Sequence, residues 1–245
     1  MIRKGGLDMI RTIILAAYVV LYLLLSIPKL KKVSKLEETG EKEEKDAIIR
    51  KTAKDWADGI VRLSGSKVEV KGADNIPKDE AVVFVSNHQS NFDIPILMSC
   101  IEKPKAFIAK VEMENMPILS SWMSKMGCIF MDRNDVRQSL KSISKGAENV
   151  KNGYSMVIFP EGTRSVDGEL GEFKQGSLKL ATKAKAKIVP VTIKGSKDIM
   201  PKGKKAIRAA NVQLVISEPI DTSDISKEDE KMLSERVRGI IESNI

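Results

Sequence analysis

The sequence predicts an α/β protein with a mixed, largely parallel central sheet flanked by helices, preceded by an N-terminal two-helix membrane-binding segment. Three observations predict it. Short apolar runs rich in β-branched and aromatic residues recur along the chain, and each ends in a polar corner. These runs do not alternate with polar residues, which suits strands covered on both faces, as in parallel sheets. A continuous apolar stretch bracketed by basic residues precedes all of them. The expected division is residues 1–64 for the membrane-associated helices and 65–245 for the α/β domain.

From Thr12 to Ile27 the chain is apolar apart from Thr12 and Ser26, and Pro28 ends the run. Arg3, Lys4 and Arg11 precede it, and Lys29, Lys31, Lys32 and Lys35 follow. As a helix these residues span only ~24 Å, short of the ~30 Å hydrocarbon core. A helix sunk into one leaflet is preferred over a spanning signal-anchor, because basic residues at both ends then stay at one interface. No small-residue cleavage site follows, which argues against a cleaved signal peptide. Glu37 to Lys45 reads as a charged linker or solvated helix face. Ile48, Ile49, Trp56, Ile60, Val61 and Leu63 recur at helical spacing and predict a second helix, lying on the membrane or packed on the α/β domain.

Four strands follow from the apolar runs: Ala81–Val85, Gly127–Met131, Ser155–Phe159 and Lys187–Ile193. Pro190 lacks a backbone donor, so its strand is expected at an edge or to contain a bulge. Pro95 favours the first turn of a helix, with Asp93 as its cap. Thr222 to Ile245 reads as a capped amphipathic helix, with Ser226 at its start and Leu233, Val237 and Ile241 on its apolar face.

The polar corners carry the chemistry. His88, the one histidine of the chain, lies on the loop after the first of these strands. Imidazole takes and returns a proton near neutral pH, and Asp93 can orient it. On a straight helix five residues would point the two side chains apart, but a strand–loop–helix corner can join them. The corner Glu161-Gly162-Thr163-Arg164-Ser165 combines a close-approach glycine, two hydroxyls and a guanidinium fork suited to phosphate oxygens. Taken alone it is equally a surface turn with a local Glu–Arg pair. Asp132-Arg133 ends another strand. If these strands are parallel neighbours, base, carboxylate and phosphate clamps share one sheet edge.

Together these strings resemble the glycerolipid acyltransferase family, and within it the lysophosphatidate acyltransferases. The family's HxxxxD block looks like His88 to Asp93, and its GxIFxDR block like Gly127 to Arg133. Its FPEGTRS block is Phe159 to Ser165, and its VPVxIxG block is Val189 to Gly195. The resemblance covers about Val68 to Pro219 with the blocks in the family's order. Thr163 resembles the lysophosphatidate enzymes. Ser120-Ser121 stands where relatives often carry a glycine, with no catalytic consequence. The resemblance implies transfer of an acyl group from a thioester to the sn-2 hydroxyl of lysophosphatidate, giving phosphatidate. It implies His88 as general base oriented by Asp93, and Glu161, Gly162, Thr163, Arg164, Arg133 and Lys110 as phosphate contacts. Oxyanion donors are expected in the His88 loop or near Val191 to Gly195. Acyl-carrier protein and acyl-CoA are both open as donor. Met113, Met116 and Trp122 are candidates to line an acyl tunnel, or ordinary core.

No cofactor or metal is expected: neither Cys100 nor Cys128 lies in a CxxC pair, and no nucleotide-binding glycine motif occurs. The formal net charge of +8 suits an anionic membrane or nucleic acid. With 4% aromatic residues and no nucleic-acid motif, the membrane reading is preferred, placing the protein on the cytoplasmic face of the cell membrane as a peripheral or monotopic enzyme. Lys174, Lys179, Lys183, Lys185 and Lys187 read as a solvated face, with a carrier protein or headgroups as the alternative. Acylation of glycerol 3-phosphate or another lysolipid, and a catalytically silent lipid-binding protein on the same fold, remain competing readings.

Overall fold

The computed structural model describes residues 4–245 apart from positions 166, 167, 175 and 202. Arg3, expected ahead of the apolar run, lies outside them. Seven strands form one sheet in the order β1-β7-β6-β2-β5-β3-β4. They are β1 (Lys67–Lys71), β2 (Val83–Ser86), β3 (Lys105–Lys110), β4 (Ile129–Met131), β5 (Ser155–Ile158), β6 (Ile188–Lys194) and β7 (Asn211–Ile216). Every neighbouring pair is parallel except β6–β7. The sheet is therefore mixed and largely parallel, as the uninterrupted apolar runs imply. Val83, Phe84 and Val85 of β2 are fully buried, as are Met156 and Val157 of β5.

Pro190 does not mark an edge. Strand β6 lies between β2 and β7. The Pro190 carbonyl accepts from Ser217 N at 2.9 Å, so the donor-less nitrogen faces the same side. There the chain opposite β6 bulges: between the bridge Ile188–Ile220 and the pair Val191–Ile216 it carries one residue more than β6 does. The imino nitrogen thus meets an interruption in the ladder.

Helices cover both faces. They are α1 (Lys4–Leu25), α2 (Ile27–Thr39), α3 (Lys42–Ser64), α4 (Asp93–Cys100), α5 (Leu119–Lys125), α6 (Val136–Lys151), α7 (Lys179–Ala184) and α8 (Lys227–Glu242). The C-terminal helix is capped as expected, with Ser226 Oγ accepting from Asp229 N at 3.0 Å and Leu233, Val237 and Ile241 buried; Met232, by contrast, is exposed. Gly146 of α6 lets Leu180 of α7 approach closely, since a Cβ there would stand 2.4 Å from Leu180 Cδ1.

The N-terminal segment differs in detail from its expectation. Helix α1 starts before the apolar run, and its 22 residues extend ~33 Å, enough to match a hydrocarbon core. Asp8 and Arg11 interrupt the hydropathy without breaking the helix, because they pair at 3.2 Å across one turn. A third helix, α2, occupies the stretch between the two expected ones. Pro28 falls in its first turn, where proline is tolerated, and Gly40 in the left-handed region ends it. Val33 of α2, Ile49 of α3 and Trp122 of α5 form a small apolar cluster.

Helix α3 is the middle layer. It packs on α4 of the α/β domain and on α1 and α2. The tyrosines of α1 seal the contact: Tyr18 Oη donates to the Asp55 carbonyl at 3.1 Å, and Tyr22 Oη to that of Thr52 at 2.9 Å. The other side of α1 exposes Leu7, Ile10, Ile13, Leu21 and Leu25. An exposed apolar helix of this length fits membrane association. Nearer its start, Thr12 Oγ1 accepts from Ile207 N at 2.8 Å and Asp8 meets Arg208 at 3.5 Å.

Gly59 is where Tyr18 docks: a Cβ there would lie 1.9 Å from Tyr18 Oη. Alanine for glycine inside a helix normally gains ~1 kcal/mol. Gly59→Ala should instead lose about 1–2 kcal/mol through overpacking and loosen α1. Thermal unfolding and limited proteolysis of the detergent-solubilised protein check this. A variant as stable as the parent would show that Tyr18 does not depend on the glycine.

Candidate active site

Parallel strands end on the same edge of the sheet, so the corners after β2, β3, β4, β5 and β6 converge. His88 follows β2, and Asp93 opens α4. The chain turns through Gln89 to Phe92, bringing His88 Nδ1 to 2.7 Å from Asp93 Oδ2. The same oxygen accepts from Gln89 N at 2.7 Å and Ser90 N at 2.8 Å. Asp93 Oδ1 accepts from Ser196 Oγ, just beyond β6. Asp93 and Ser196 are fully buried. A buried carboxylate is tolerable when donors surround it, and this one has four. Because Nδ1 is held by a pure acceptor, it carries the proton, and Nε2 is the nitrogen left to accept another. The imidazole stacks on Phe159, with centroids 4.1 Å apart and planes tilted by 20°.

The loop is braced from two more strands. Asn87 spans to β6, donating to the Ile193 carbonyl and accepting from Ile193 N, both at 2.8 Å. Glu161 Oε1 accepts from His88 N at 2.7 Å, and its Oε2 from Gly171 N at 2.9 Å. Burial raises the Glu161 carboxyl above its usual range, while the two amides oppose the rise. Ser165 N donates to the His88 carbonyl at 2.8 Å.

His88, Lys110, Arg133, Thr163 and Arg164 line one cavity of about 830 Å³. The cavity runs beneath α1 and α3 and is mostly apolar, reaching Met113, Met116 and Trp122, which the sequence left open between tunnel and core. Trp122 is buried, and its Nε1 donates to Ser26 Oγ at 2.8 Å. Thr163 and Arg164 are exposed, and Arg164 makes no ion pair among the described residues. Nor do their two main-chain N–H groups have partners there. Arg133 reaches across to the Gly162 carbonyl, and its buried Nε has no partner among the described residues. Burial lowers its basicity, with Glu112 opposing. Lys110 pairs with Glu112 at the rim.

Two expected phosphate contacts are placed otherwise. Glu161 does not line the cavity, and both its oxygens are engaged by main-chain amides. Gly162 turns with φ +71°; its carbonyl is taken by Arg133, and the stem of Lys174 covers its open side. Sequence reading missed Ser196, Phe159 and Lys174 as neighbours of the site. Ser196 stands one residue beyond the Val189–Gly195 block, and that adjacency was its only signal.

A family model described as Acyltransferase matches residues 67–194. A chloroplastic 1-acyl-sn-glycerol-3-phosphate acyltransferase of Arabidopsis thaliana is 40% identical over 70% of this chain. A probable 1-acyl-sn-glycerol-3-phosphate acyltransferase of Mycoplasma pneumoniae is 33% identical, covering 71% of this chain and 70% of the relative. The chain spans about half the length of the chloroplastic relatives it matches, 48% and 49%. The crystal structure of the 1-acyl-sn-glycerophosphate acyltransferase PlsC from Thermotoga maritima superposes with a TM-score of 0.85 at 27% identity, covering 99% of this chain and 97% of that one. With its motif blocks gathered on one sheet edge and the family model spanning them, this chain belongs to the acyltransferase family.

Proposed function

We propose that the protein transfers a fatty acyl group from a thioester to the sn-2 hydroxyl of lysophosphatidate, forming phosphatidate. The reading rests above all on the His88–Asp93 pair opening onto an apolar cavity whose mouth carries Arg133, Arg164 and Lys110. The names of the relatives support the same acceptor.

In this mechanism His88 Nε2 takes the proton of the acceptor hydroxyl as its oxygen attacks the thioester carbonyl. The new ester C–O bond forms, the C–S bond breaks, and the imidazolium gives the proton to the departing sulfur, which leaves as the thiol. Asp93 steadies the imidazolium, and no enzyme nucleophile is required. Arg164, Thr163, Arg133 and Lys110 hold the acceptor phosphate, with the free amides of Thr163 and Arg164 as further donors. Glu161 and Gly162 act indirectly, by setting the His88 loop and the turn that presents Arg164. The donor is an acyl-carrier protein or acyl-CoA thioester, with its chain in the cleft toward Trp122.

Residues 1–64 serve as the membrane-associated segment and 65–245 as the acyltransferase domain. The long contact of α1 with α3 supports a helix lying in the cytoplasmic leaflet, since one side is committed to protein along much of its length. Lys29, Lys31 and Lys35 of α2 suit anionic headgroups, each contributing ~1 kcal/mol near such a surface, while Lys32 is engaged by Glu44 at 2.6 Å.

Three substitutions test the assignment. His88→Ala should lower kcat by ~10²–10⁴-fold while leaving lysophosphatidate affinity intact; comparable turnover by variant and parent refutes the base. Arg164→Ala should raise the KM for lysophosphatidate by about tenfold with less effect on kcat. An unchanged KM removes it from the phosphate site. Ser196→Ala should lower kcat by about tenfold at constant KM, as expected for losing one hydrogen bond that positions a catalytic pair. A change in KM alone would show that Ser196 does not act through Asp93.

A further inference from the structure

A second cavity, of about 400 Å³, lies at the opposite edge of the sheet. Lys105 and Ser155 line it where β3 and β5 begin, and the turn Asn152–Tyr154 and one side of α3 complete the walls. Ala53, Met98 and Met126 line this cavity and the catalytic one, so the two share an apolar wall.

The lining carries Lys42, Arg50, Lys54, Lys103, Lys105 and Lys125 against two carboxylates, Asp46 and Glu102. Lys54 and Lys125 are paired outside the cavity, with Asp58 and Glu37. Asp46 has its own lysine, Lys45, at 3.9 Å. Arg50 makes no ion pair among the described residues. Lys42 Nζ lies 5.3 Å from the centroid of the Tyr154 ring. With the Asp79 and Glu80 carboxylates near enough to favour its charge without an ion pair, the Lys103 ammonium bonds the carbonyls of Pro77 and Lys78, at 2.7 and 2.9 Å. That of Lys105 bonds those of Ile101 and Lys103, at 2.6 and 3.0 Å.

Carbonyls satisfy hydrogen bonds but supply no counter-charge. Burial pushes Lys105 down to about 7; Cys100 opposes the fall and Lys54 adds to it. Capping of carbonyls explains where Lys103 and Lys105 point. It does not explain why Arg50 and Lys42 crowd the same hollow. Lys42, Arg50, Lys103 and Lys105 thus line one hollow without an ion pair to a carboxylate among the described residues, an arrangement that suits an anion.

We propose that this cavity binds a phosphate group, gripped by Arg50, Lys105 and Lys42, with Tyr154 and the shared apolar wall against the rest of the ligand. The guanidinium fork matches phosphate oxygens, and the two ammonium groups act as point charges. The ligand is a free phosphate ion or the headgroup of an anionic phospholipid. Its site stands at the other end of the strands from His88, so it takes no part in acyl transfer and does not depend on that assignment.

Calorimetric titration of the full-length protein in detergent with inorganic phosphate tests the site. Arg164→Ala provides the background, weakening the contribution of the catalytic mouth. Phosphate binding should persist in that protein and weaken by about tenfold or more in Arg164→Ala/Arg50→Ala and in Arg164→Ala/Lys105→Met, the loss expected for one charge-assisted contact. Arg50 is exposed, so its removal leaves the fold intact even if Lys105→Met does not. Binding absent from the Arg164→Ala protein, or indifferent to Arg50→Ala, overturns the proposal. Dioctanoyl phosphatidate then separates the sources. Affinity at least about tenfold above inorganic phosphate, and equally sensitive to Arg50→Ala, identifies a lipid headgroup. Equal affinities, or a gain that Arg50→Ala leaves untouched, identify the free anion.

Discussion

A single buried carboxylate holds this active edge together. Asp93 accepts from an imidazole, two consecutive main-chain amides and a serine hydroxyl. Those donors come from the loop after β2 and from the turn after β6, while the acceptor opens α4. A carboxylate at that depth is tolerated only when donors surround it. Satisfying it therefore fixes where three segments meet. The same contact selects the ring tautomer, so structure and chemistry are set by one charge. Asn87 and Glu161 repeat the principle at either side, tying the His88 loop to β6 and to the turn after β5. The loop is thus held from both neighbouring strands, which preorganises the His88–Asp93 pair.

The cleft has a different origin. The sheet and its flanking helices do not enclose it alone. Helices α1 and α3 supply its other side, through Leu15, Val19, Tyr22, Trp56 and Ile60. The layer whose exposed side fits membrane association is also the layer that walls the apolar cleft. Apolar surface thus continues from the exposed side of α1 to the cleft, whose mouth is charged.

Much of this was legible in the residues. Strands β2, β4, β5 and β6 were readable because unbroken apolar runs met polar corners. Those corners carried His88, Arg133 and Arg164, all of which line the cavity. The rest was hidden for physical reasons. β1 reads Lys-Val-Glu-Val-Lys, an edge strand with little buried surface. β7 alternates, and nothing in it discloses that it runs against its neighbour β6. Helix α2 was masked because Pro28 marks a helix start as readily as an end. Glu161 looked like a ligand contact because residue type cannot reveal that two amides from elsewhere already occupy it.

The pairing of β1 with β7 joins Lys67–Lys71 to Asn211–Ile216, segments far apart in the chain. During synthesis β1 must wait until residues 211–216 have emerged before its partner exists. Contacts of such long range form slowly. The apolar helix α1 emerges ahead of every strand, and a bilayer can receive it long before the sheet closes. Chain order alone therefore lets α1 find an apolar environment while the sheet is still unfolded.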